Sequence, residues 1–136
     1  GDEYNESIVH HWVEKMTELD IKIVSLADTV GLAKPEQVTS VLHKIIPAFP
    51  ETEIGVHLHS APHTRTEKLA AALNAGCRRF DSAIKGIGGC PMAGDDLVGN
   101  MDTEVMISYF KKSGLKMDLD AEQLTLCHQL ASEIFI

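Results

Sequence analysis

Two histidines one residue apart, His57 and His59, stand in the run Gly55-Val-His-Leu-His-Ser60. Their spacing is one that chemistry can use. Valine and leucine around them favour a strand. Strand side chains alternate, so both imidazoles project from one face while Val56 and Leu58 take the other. Such a pair near a strand's end can begin a metal site. It can equally be two histidines hydrogen-bonded to each other and their surroundings. Asp28 closes a second β-rich run, Ile21-Lys-Ile-Val-Ser-Leu-Ala-Asp28. A carboxylate there can serve a site at the strand end or cap a turn. The third feature is the run IKGIGGCPMAGDDLVGN, residues 84–100. Its glycines, Gly88 and Gly89 among them, allow positive φ and close backbone approach to a ligand. A connection of that length is a functional loop or a plain glycine-rich surface loop. Cys90 sits in it between two glycines and Pro91, so its thiol could act as an acid or base if the surroundings tune its pKa. Cys77 and Cys127 read as packing residues. His10, His11 and His63 read as surface or half-buried histidines.

These residues need a scaffold, and the pattern supplies one. Asn5 or Ser7 caps a helix to about Leu19, with Ile8, Val9, Trp12, Val13, Met16 and Leu19 on one apolar face. The strand ending at Asp28 follows. Pro35 opens a second helix whose buried stripe is Val38, Val41, Leu42, Ile45, Ile46 and Phe49. Glu53–Ser60 is the second strand. Thr64–Ala75 is the third helix, closed by Gly76. Cys77–Ile84 is the third strand. After the long loop, Asp102 or Thr103 caps a fourth helix, and Asp120 with Gln123 forms a capping box for a fifth, lined by Leu124, Cys127, Leu130 and Ile134. Strands alternating with helices predict an α/β fold with a parallel sheet and right-handed crossovers. Asp28, His57, His59 and the loop would then gather at the C-terminal rim of the strands, where α/β sites form.

The chain has 136 residues, enough for one domain, and a net charge of −8. That balance argues against a nucleic-acid partner, which needs clustered Lys and Arg. No apolar run approaches the length of a membrane span. Three cysteines without metal-knuckle spacing fit a reducing, intracellular setting. The opening GDEYNES, with no leader and no initiator methionine, suggests a piece of something larger.

Together the segments SLADTVGLAKP, VHLHS and IKGIGGCPMAGDDLVGN resemble the hydroxymethylglutaryl-CoA lyase family, TIM-barrel enzymes akin to isopropylmalate and homocitrate synthases. The resemblance runs over nearly the whole chain and in order. The paired histidines and strand-end aspartate belong to the wider superfamily, and the Gly-Gly-Cys-Pro loop ending in Gly-Asn to the lyases. It implies cleavage of hydroxymethylglutaryl-CoA, a CoA thioester, to acetoacetate and acetyl-CoA with Mg²⁺ or Mn²⁺. By motif match His57, His59 and Asn100 would be metal ligands. Cys90 would be the catalytic cysteine of a mobile loop, Ile84–Gly99, with Gly88, Gly89 and Pro91 beside it. Asp28 would be an acidic site residue and His57 would also share in catalysis. A cytoplasmic location follows, or a mitochondrial one in a eukaryote.

Two departures stand out. Ser60 takes the place where the family usually carries an acid after the histidine pair. The family's Arg-Asp motif of the first barrel strand is absent. The expectation is therefore the C-terminal portion of a (β/α)8 barrel, residues 1–136, with three parallel strands, inactive alone and self-associating through its sheet. The sheet's open face should carry Asp28, His57 and His59 at the rim and apolar residues deeper. Alternatives of function are a Claisen-type synthase or aldolase of the same superfamily, or a non-catalytic self-associating piece.

Overall fold

The computed structural model describes residues 4–89 and 98–135. Cys90 and Pro91 lie outside them. Helix α1 is Glu6–Glu18, β1 is Ile23–Asp28, α2 is Pro35–Ala48, β2 is Glu53–Leu58, α3 is Arg65–Asn74 and β3 is Arg79–Asp81. A 3-10 turn at Ile84–Gly86 precedes α4, Thr103–Lys112, and α5, Ala121–Ile134. The three strands form one parallel sheet in the order β1-β2-β3.

The helix starts follow their caps. Asn5 Oδ1 accepts from Ile8 N at 2.9 Å, Asp102 Oδ1 from Val105 N at 2.9 Å, and Asp120 Oδ1 from Glu122 N and Gln123 N at 3.0 Å each. Each satisfies backbone donors that the first turn leaves without partners. Gly76 ends α3 with φ +95°, the left-handed geometry that a glycine C′ position supplies without strain.

Register divides the sheet's two faces. Val24, Leu26 and Asp28 pair with Ile54, Val56 and Leu58. That face is covered by α2 and α3, and Val38, Val41, Leu42, Ile45, Leu69 and Ala72 join Ile54, Val56 and Leu58 in the core. On the other face Ser25 pairs with Gly55 and Gly55 with Arg79, while Ala27 pairs with His57 and His57 with Asp81. Ile23, paired with Glu53, is apolar at the deep end as expected, but beyond it this face is small and polar. Ser25 Oγ donates to Asp81 Oδ2 at 2.6 Å, and Arg79 Nη1 lies 3.9 Å from Glu53 Oε2. The strand period had placed these small and charged residues there, but the β-rich composition of each run hid it.

Two helices bury less than their periodicity predicts. In α1 only Val13 is buried, and Trp12 and Leu19 stay 59% and 74% exposed. In α5 only Ala131 is buried, and Cys127 is exposed rather than packed. Each helix rests on a narrow contact, α1 chiefly on α2 and α5 chiefly on the 3-10 turn. An apolar stripe is an offer of burial, and these neighbours take up only part of it.

Candidate functional site

β2 delivers the histidines as its alternation requires, both on the open face. His57 Nε2 and His59 Nε2 stand 3.3 Å apart. The other ring nitrogen of His59, Nδ1, lies 3.0 Å from the carbonyl oxygen of Val98. A carbonyl can only accept, so Nδ1 carries the proton and donates it. The tautomer so fixed leaves the lone pair on Nε2, which lies within hydrogen-bond reach of His57 Nε2. His59 is 5% exposed. Among the described residues no three His, Cys, Asp or Glu side chains converge on a point.

Asn100 is brought to the pair by backbone pairing. Residues His59 and Asn100 form an antiparallel bridge, flanked by Ser60 N donating to Gly99 O at 3.1 Å and Met101 N to Leu58 O at 3.0 Å. The amide is oriented by its nitrogen: Nδ2 donates to Ile87 O at 2.8 Å. Its Oδ1 is buried with no hydrogen-bond partner among the described residues. A buried amide oxygen left bare is costly unless something accepts its lone pairs. Two imidazoles and this amide oxygen thus gather near one strand end as groups able to donate electron pairs.

These features test whether a divalent cation fits. Mg²⁺ takes ligands at ~2.1 Å in near-octahedral geometry, which puts neighbouring ligand atoms ~3 Å apart. The 3.3 Å between the Nε2 atoms is close to that edge. Imidazole nitrogens with a neutral oxygen can hold a divalent cation whose remaining positions are filled by water or carboxylate.

The base of the loop, on the described residues of the expected Ile84–Gly99 loop, is hydrogen-bonded structure. Gly86 N donates to Ala83 O, Asn100 N donates to Gly88 O at 3.0 Å, and Gly89 bridges Gly99. Gly88, φ +90°, leaves room for Asn100: a Cβ there would sit 3.0 Å from Asn100 Nδ2. Gly88 and Gly89 therefore serve the asparagine and the loop's foot within the described residues. His63 is exposed, as its loop position suggests.

Asp28 is placed otherwise than expected. It pairs with Leu58, one residue out of phase with His57, and so belongs to the helix-covered face. Its Oδ2 accepts from Lys68 Nζ at 2.7 Å and from Ala33 N at 3.1 Å. The strand-end position was read correctly, but the alternation that groups His57 with His59 excludes Asp28 from their face.

Lys68 was missed. It is 2% exposed, and its ammonium donates to Asp28 Oδ2, to Gly31 O at 2.9 Å and to His59 O at 2.9 Å. A signal was available: Lys68, Ala71, Ala72 and Ala75 fall at helical spacing and all are buried. A lysine on the buried stripe of a short helix calls for an acid within reach.

The HMGL-like family profile matches residues 3–131. The chain belongs to the HMGL-like family, and its three parallel strands with flanking helices are part of that family's TIM barrel. Hydroxymethylglutaryl-CoA lyase YngG of Bacillus subtilis is 34% identical over 111 residues, 82% of this chain and 37% of that protein. (R)-citramalyl-CoA lyase of Chloroflexus aurantiacus is 37% identical over 101 residues, 74% of this chain and 32% of that protein. A solved HMG-CoA lyase from Acinetobacter baumannii, in complex with coenzyme A and 3-methylmalate, is 32% identical with TM-score 0.82, and the match covers 96% of this chain and 43% of that one. The chain spans about a third of the length of the curated relatives it matches. No helix among the described residues is long and apolar enough to cross a membrane.

Proposed function

We propose that this chain is the C-terminal part of a divalent-metal-dependent carbon–carbon lyase that cleaves hydroxymethylglutaryl-CoA to acetoacetate and acetyl-CoA. The observation that carries the reading is the backbone bridge that joins Asn100, whose buried Oδ1 has no partner among the described residues, to His59, whose Nε2 lies 3.3 Å from that of His57. His57, His59 and Asn100 would hold Mg²⁺ or Mn²⁺. When bound, the cation supplies a Lewis acid for the substrate's hydroxyl and neighbouring oxygens.

The chain's own residues set the conditions. Val98 O holds the proton of His59 on Nδ1 and keeps Nε2 free. Ile87 O holds Nδ2 of the Asn100 amide, which would leave Oδ1 for the cation. Gly88 keeps the space for that amide. Cys90, by its place in Gly-Gly-Cys-Pro, would move a proton at its Sγ as the carbon–carbon bond breaks. The neutral ligand set lacks a carboxylate. This supports the reading that the missing anionic ligand lies on another barrel strand, so the chain alone would bind a cation weakly and not turn over. A homo-oligomer belongs to the same reading, supported by the exposed Leu126 and Leu130 of α5 rather than by the polar sheet face. A cytoplasmic location goes with it, or a mitochondrial one in a eukaryotic source, since relatives of both kinds exist.

A second substrate is favoured by one observation, the 37% identity to a citramalyl-CoA lyase. Both substrates are CoA thioesters of a hydroxylated, methyl-bearing dicarboxylic acid and break the same kind of bond. The test is to offer each thioester with Mn²⁺ to the enzyme that carries this chain. Acetoacetate from hydroxymethylglutaryl-CoA is expected. Pyruvate from citramalyl-CoA alone would transfer the assignment to the second substrate. Condensation with acetyl-CoA without cleavage would make the protein a synthase, and no reaction would leave a non-catalytic piece.

A further inference from the structure

We infer that Lys68 is a positioning residue for the histidine site, clamping the backbone around His59 so that its ring presents one fixed tautomer. The inference rests on the metal-site reading above, but its geometry stands apart from the identity of the ligand. Lys68 has three N–H donors and three acceptors: Asp28 Oδ2 at 2.7 Å, Gly31 O at 2.9 Å and His59 O at 2.9 Å. One acceptor is the carbonyl of His59 itself. The backbone N–H of His59 is held too, donating to Asp28 O at 3.1 Å. Asp28 thus holds His59 from one side by its carbonyl and, through its carboxylate, holds the lysine that grips His59 from the other.

The second arm runs through Gly31. Its φ of +70° is a left-handed geometry, and a Cβ there would meet Val98 Cγ1 at 2.9 Å and His59 O at 3.3 Å. Gly31 is therefore packed directly on Val98, and Val98 O is the acceptor for His59 Nδ1. The circuit closes. Lys68 fixes Gly31, Gly31 backs Val98, Val98 fixes the ring of His59, and Lys68 fixes the carbonyl of the same residue. If Val98 O moved out of reach, the single proton of neutral His59 would be free to sit on Nε2. There it would occupy the lone pair that a cation needs. Outer partners that set a ligand histidine's tautomer typically change metal affinity 10–100-fold when removed.

The charges make the lysine more than a polar plug. A buried ammonium without an acid, or a buried carboxylate without its cation, is strongly unfavourable, so Asp28 and Lys68 depend on one another. Lys68→Met alone would strand Asp28 and risks misfolding. The informative variants are the double change Asp28→Asn with Lys68→Met, which removes both charges, and Gly31→Ala, which keeps the ion pair and crowds Val98 and the carbonyl of His59.

The experiment uses the protein carrying this chain, labelled with ¹⁵N-histidine. Imidazole NMR reads the tautomer of His59, and water-proton relaxation reads Mn²⁺ binding. In the unaltered protein His59 should show the Nδ1–H form alone. Both variants should lose that single form and bind Mn²⁺ ~10–100-fold more weakly, with far-ultraviolet circular dichroism unchanged. A double variant and a Gly31→Ala variant that each keep the Nδ1–H form and the original Mn²⁺ affinity would overturn the inference. Should the double variant fail to fold, Gly31→Ala decides alone by the same two readouts. If the unaltered protein binds no Mn²⁺, the metal-site reading falls, and the tautomer in the variants still decides whether Lys68 positions His59.

Discussion

The backbones of His59 and Asn100 face each other across an antiparallel bridge between the end of β2 and the end of the loop. That bridge is what makes one site from residues forty-one positions apart in the chain. It also explains why the loop returns to the sheet at this asparagine. Leu58 O and Ser60 N, on either side of His59, take up Met101 N and Gly99 O.

Gly88 sits beneath the asparagine. Gly88→Ala should weaken Mn²⁺ binding by the protein carrying this chain and lower its unfolding temperature by several degrees. The added methyl meets Asn100 Nδ2 at 3.0 Å, and φ is +90°. A strained backbone position of this kind costs about 1–3 kcal/mol. Titration with Mn²⁺ beside thermal unfolding separates the two effects. Unchanged affinity would mean that the glycine serves only the chain's path.

Cys77 predicts a loss of stability at high pH. Burial raises its thiol above the ordinary value of 9.0, against smaller opposing effects from the Arg79 backbone and the Arg78 charge. Above that ordinary value the unfolded chain releases the thiol proton while the folded chain still holds it. The contribution is therefore intact below the ordinary value and is lost as pH rises through the raised one. Urea midpoints between pH 8 and 11 should fall less in Cys77→Ala than in the unaltered protein once the cost of the substitution is subtracted. In iodoacetamide labelling read by peptide mass, Cys77 should react far more slowly than the exposed Cys127.

Leu42→Ala should cost about 2–5 kcal/mol, because Leu42 is fully buried between α2 and the sheet. Leu19→Ala, at a residue 74% exposed, should change stability by under about 0.5 kcal/mol. Urea denaturation of the two variants reads both. A large loss at Leu19 would show that α1 is covered by a second copy or by further chain.

Much of this was legible in the residues. The alternation of His57 and His59, the stripe from Val38 to Ile45, and the caps at Asn5, Asp102 and Asp120 are local facts, fixed by periodicity and by short side chains beside helix starts. The family resemblance ran through the same residues and named Asn100, which periodicity alone does not single out. What escaped was long-range. The pairing of Asp28 with Lys68 joins residues forty apart through the helix-covered face, and sequence spacing says nothing of it. The tautomer of His59 depends on the carbonyl of Val98, and every residue has a carbonyl. The exposed faces of α1 and α5 depend on how wide a neighbour each meets, which the helix's own pattern does not contain.

The most direct test of the metal-site account is pulsed electron paramagnetic resonance of Mn²⁺ added to the ¹⁵N-histidine-labelled protein that carries this chain. Two directly bound imidazole nitrogens are expected, falling to one in His57→Ala and one in His59→Ala, with affinity reduced in Asn100→Ala. Bound Mn²⁺ with no histidine nitrogen in its coordination sphere, or with a spectrum unaltered by both histidine substitutions, would contradict it.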